Sequence, residues 1–162
     1  MGTIEDYRSG GILDGIGKAL HVLDSMEKSA ADSPHIIRIQ EKILEFRPTI
    51  ISFDEASAYI GKATTIALGE RVCRTLHPDS VFSLSVFLDE LAIAMIESGK
   101  ARTATAMEAE QSLKKQRSHP LIISMVSGRY QEICASYPKE CVFWKAERQG
   151  LHCLKRKSSR IT

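Results

Sequence analysis

The chain has 162 residues, of which 43% are hydrophobic and 26% charged, with 22 Lys or Arg against 20 Asp or Glu and a formal charge of +2. That length suits one ordinary domain, and the balance excludes general disorder and any need for a metal or disulfide merely to hold the chain together. The charge is uneven, because residues 139–162 carry +5 and the remainder sums to −3.

The first residues, Met1 to Asp6, have neither the basic start nor the apolar run of a secretory signal, so a cytoplasmic protein is expected. Ile12, Ile16, Leu20 and Leu23 recur at helical spacing, and Ile36, Ile39, Ile43 and Phe46 repeat the pattern in a second register. Two helices are predicted there, separated by Ala31 to Pro34. The second should stop near Arg47, because a residue before proline is pushed out of the helical region. Ser52 and Glu55 have capping-box spacing, and the periodic apolar positions that follow predict a third helix from about Phe53 to Leu76.

His77 to Ser80 breaks the chain, and the stretch from Val81 to Ile96 is apolar on two sides, as a central helix would be. Asp89 and Glu90 interrupt it, and it is too short for the roughly 20 residues of a membrane span. Asp89 is expected to pair with a Lys or Arg of another helix. Gly99 should end or kink that helix. Ala101 to Arg117 is rich in Ala, Glu and Lys and predicts an exposed helix. After His119-Pro120, Leu121 to Cys134 is assigned to another amphipathic helix, and a last short one spans Glu140 to Gln149 and ends at Gly150. No sustained alternation marks a strand. The fold expected is therefore all-α: a single-domain bundle of about five to six helices over residues 1–138, followed by a loop-rich, basic, cysteine-containing segment over 139–162.

The chemistry-bearing residues concentrate at the C-terminal end. Cys134, Cys141 and Cys153 each stand beside a chain reversal, and Cys73 or His152 could supply a fourth donor to a zinc or iron–sulfur site. Paired CxxC elements are absent, and free cysteine is also an ordinary small hydrophobe of protein cores. Lys155, Arg156, Lys157 and Arg160 form a basic tail that suits an acidic protein face or, alternatively, nucleic acid, with Phe143 and Trp144 available to stack on bases. A helix-turn-helix reading of Asp54 to Arg71 is weak, since its second helix lacks base-reading side chains. Hydrolase, phosphate-loop and di-iron motifs are missing. These features point to a non-enzymatic regulatory or adaptor protein that presents a helical face and a basic tail to a protein partner. A metal-binding protein and a nucleic-acid binder are the alternatives, and the helical surfaces could also pair two copies into a homodimer.

Overall fold

A computed structural model describes residues 2–25, 33–76, 84–116 and 118–156. These residues form seven helices and a seven-stranded sheet, so the expected all-α bundle is replaced by an α/β fold. In chain order the elements are α1 (Ile4–Ser9), α2 (Gly11–Ser25), α3 (Pro34–Leu44), β1 (Thr49–Ile51), α4 (Phe53–Lys62), β2 (Ile66–Glu70), a 3-10 turn (Val72–Leu76), β3 (Leu84–Leu88), α5 (Asp89–Glu97), β4 (Ala101–Thr103), α6 (Ala106–Lys115), β5 (Leu121–Val126), β6 (Arg129–Ala135), α7 (Val142–Arg148) and β7 (Lys155–Arg156). The strand order is β4-β2-β3-β6-β5-β1-β7, antiparallel throughout except for the parallel pair β1–β7.

Each correction has a local cause. The helix assigned to Phe53–Leu76 begins as expected, with Ser52 and Glu55 exchanging both capping-box hydrogen bonds. It stops at Lys62, because Ala63 is extended and the β-branched run Thr64-Thr65-Ile66 leads into β2. Ile66 to Glu70 is thus a strand, which removes the helix-turn-helix reading. Gly69 lets β4 approach: a Cβ there would lie 2.5 Å from the carbonyl oxygen of Lys100.

The apolar stretch assigned to a central helix is strand β3 followed by helix α5. The chain turns at Asp89, whose φ is +52°. Its side chain accepts hydrogen bonds from Thr64 N and Oγ1 at 2.8 and 3.1 Å, and its amide donates to Thr65 O at 2.8 Å. Asp89 also pairs with Arg129 at 3.3 Å, a cation on strand β6 rather than on a helix.

Leu121 to Cys134 is a hairpin, not a helix. Ser127 and Gly128 form its two-residue loop with φ of +50° and +83°, the left-handed pair that suits a tight hairpin turn. The loop also anchors the N-terminus, since Ser127 N donates to Gly2 O at 2.8 Å and Ser127 Oγ accepts from Ile4 N at 3.0 Å. Gly99 does end a helix, at φ +73°, and α6 is less exposed than expected because Ala109 and Leu113 are fully buried.

Helices cover both faces of the sheet. Ile51, Leu68, Val86, Leu88, Ile123 and Ile133 meet Ala56 and Ile60 of α4 and Ala109 and Leu113 of α6 on one face. Ala67, Phe87 and Val126 meet α1, α2 and α5 on the other. A third cluster joins α2, α3 and α7 through Leu23, Ile36, Ile43 and Ala146. Among the described residues no helix is long and apolar enough to cross a membrane.

Candidate functional site

Alternation along the two central hairpin strands decides what reaches each face of the sheet. Ile133 and Ala135 of β6 and Leu121 and Ile123 of β5 point into the α4–α6 core. Glu132 and Cys134, with Ile122 and Ser124, therefore point the other way. There they border a cavity of about 80 Å³, closed by Tyr7 of α1, Ile12, Ile16 and Ala19 of α2, Ile43 of α3, and Val142 and Phe143 of α7. One water needs roughly 10–15 Å³ of such space, so the cavity has room for a small ligand of several heavy atoms. Phe46 and Phe143 form one wall, their ring centroids 6.0 Å apart.

The polar groups of this cavity are few and buried. Tyr7 Oη donates to Glu132 Oε1 at 2.5 Å. Burial pushes the Glu132 carboxyl above the ordinary glutamate range, and the Tyr7 hydrogen bond opposes that rise. Burial, reinforced by the neighbouring Glu132, also pushes the Tyr7 phenol well up. Arg71 enters from the end of β2 and is only 5% exposed. Among the described residues its Nε and Nη2 have no hydrogen-bond partner. A buried donor without a partner costs roughly 1–3 kcal/mol, and more on a charged group, so two such N–H groups on one guanidinium are a feature to explain.

Three of the four cysteines considered for a metal line this cavity: Cys73, Cys134 and Cys141. Cys153 does not. It is fully buried in the α2–α3–α7 cluster, where its thiol faces Leu151 O at 3.8 Å. Among the described residues no three His, Cys, Asp or Glu side chains come together as a group that could hold a metal ion. Burial also sets the protonation state of the thiols. Burial pushes Cys73 up to about 11, with Arg71 opposing the rise, and pushes Cys134 well above the ordinary thiol range. Cys141 is raised by burial despite amide hydrogen bonds at the start of α7, and Cys153 is raised to about 11 by burial and by Glu147. Electrophiles are met by thiolate, and these sites favour thiol.

Of the basic tail, Lys155 and Arg156 form β7, exposed and paired in parallel with β1. Lys157 and Arg160 lie outside the described residues. Trp144 donates from Nε1 to Ser136 Oγ at 2.9 Å, and Phe143 packs on Phe46, so both rings already have partners within the fold.

Tyr7, Arg71 and Glu132 were not singled out from the sequence as site residues. Arg71 directly follows Glu70 in sequence, and the adjacent opposite charge masks it. Glu132 is flanked by Gln131 and Ile133, so no local pattern marks it as buried. No protein-family model matches the chain, and no curated protein or solved structure shows significant similarity to it.

Proposed function

We propose that this protein is a non-enzymatic regulatory protein that binds a small, largely apolar molecule in the cavity between α2, α7 and the β5–β6 hairpin. The observation that carries this reading is the cavity itself, an apolar space of about 80 Å³ with a few converging polar groups. Native cores leave few voids larger than a water molecule, and concave apolar space with isolated polar groups is how small-molecule sites are built. Thiols held in their protonated form support binding over covalent attack on a ligand. The walls come from four helices and two strands, so occupancy would be felt by the whole helical layer on this face, which suits regulation.

The test is to fill the space. Ala19 is buried at the cavity wall, and Ala19→Leu adds three carbon atoms to it. The variant should melt at or slightly above the wild-type temperature and lose binding of short aliphatic and aromatic probes measured by calorimetric titration. Undiminished probe binding by a folded Ala19→Leu protein would contradict the reading.

A further inference from the structure

We propose that the ligand of this cavity is a short-chain monocarboxylate, held by a bidentate pair of hydrogen bonds from Arg71. The inference rests on the cavity-binding reading above and specifies its ligand class. Nε and Nη2, the two buried nitrogens without partners, are the pair on one edge of the guanidinium. Their N–H bonds run nearly parallel, and the spacing matches the two oxygens of a carboxylate.

The surroundings select the rest of the molecule. Ile12, Ile16, Phe46 and Phe143 offer an apolar sleeve for a hydrocarbon or aryl tail. A phosphate would leave further oxygens against that apolar wall without donors, whereas a carboxylate's charge and both oxygens are met by Arg71 alone. Glu132 does not fill the role, because its carboxyl already accepts from Tyr7 and the Arg71 fork remains unpartnered. Arg71 also borders a second cavity of about 170 Å³ that shares Tyr7, Ile12 and Val72 with the first and reaches Lys100. The carboxylate therefore sits where the two spaces meet, with its tail in the apolar one.

The experiment titrates hexanoate and benzoate, and their neutral counterparts hexanamide and benzamide, into wild-type protein and into Arg71→Met and Arg71→Lys. Wild type should bind each acid at least about tenfold more tightly than its amide, the factor that one charge-assisted pair of about 1.4 kcal/mol supplies. Arg71→Met should lose that preference while keeping the amide affinity, and Arg71→Lys should retain only part of it, because an ammonium lacks the fork. Removal of a buried charge with two unsatisfied donors should also leave the ligand-free Arg71→Met protein at least as stable as wild type, so the variant folds. Equal affinity for acids and amides, or an acid affinity untouched by Arg71→Met, overturns the carboxylate assignment and leaves the cavity reading standing. Failure of all four probes to bind wild type overturns both.

Discussion

The two faces of the sheet are built to different standards. Toward α4 and α6, Leu68, Val86, Ile123 and Ile133 lock against Ala56, Ile60, Ala109 and Leu113, each at most 4% exposed and none of them polar. Toward α2 and α7, the same strands bring Glu132, Ser124 and Cys134 to a space that the helices leave open, with Arg71 at its edge. Strand alternation produces both faces from one stretch of chain. The first face is filled by apolar side chains throughout, while the second is packed around Phe87, Leu91 and Val126 but opens beside Glu132 into a space that holds buried polar groups.

Truncation on the two sides gives the largest contrast. Ile123→Ala should cost about 2–5 kcal/mol in urea unfolding, since a fully buried side chain is replaced by a void. Ile16→Ala removes a half-buried side chain from a wall that already borders open space and should cost only about 1 kcal/mol. Similar losses for both would erase the distinction between the faces.

Alkaline pH probes the cavity face more gently. Cys73 keeps its proton up to about 11 in the folded chain, and Cys134 and Tyr7 are raised as well, whereas unfolded thiols release theirs near pH 9 and unfolded tyrosine near pH 10. Above pH 9 the unfolded state therefore binds fewer protons than the native state, and stability falls as pH rises through this window. For Cys73 the loss between pH 8 and pH 10.5 should be on the order of 1–2 kcal/mol, and the double variant Cys73→Ala, Cys134→Ala should make the profile shallower, with Tyr7 and Cys141 still contributing. A profile unchanged in that variant would show that these thiols are not held protonated by the fold.

The sequence was legible where its signals were local. The helices α2 and α3, the Ser52–Glu55 capping box, the stop at Gly99 and the cation pairing of Asp89 all rest on residues within a few positions of one another or on a charge that needs an opposite. The sheet was hidden because its central strands are covered on both faces. Leu121 to Val126 reads as an apolar run broken only by Ser124, five of its six residues buried, so the period of two never appears. Short runs of that kind look equally like buried helix. The overlooked signal was Ser127-Gly128, two turn-forming residues between two apolar runs, which marks a hairpin. The site was legible only in part, as a gathering of cysteines. Its polar members come from α1, the end of β2 and β6, and only the antiparallel pairing of β2, β3 and β6 brings them together.

The most direct test of the cavity reading follows the isoleucine methyl groups by carbon–proton NMR while hexanoate is added. Ile12, Ile16, Ile43 and Ile122 line the cavity, whereas Ile51, Ile60, Ile123 and Ile133 belong to the opposite core. Saturable shifts concentrated in the first set, with the second nearly still, are the predicted result. Shifts in neither set, or shifts of equal size in both, would contradict a ligand site on this face of the sheet.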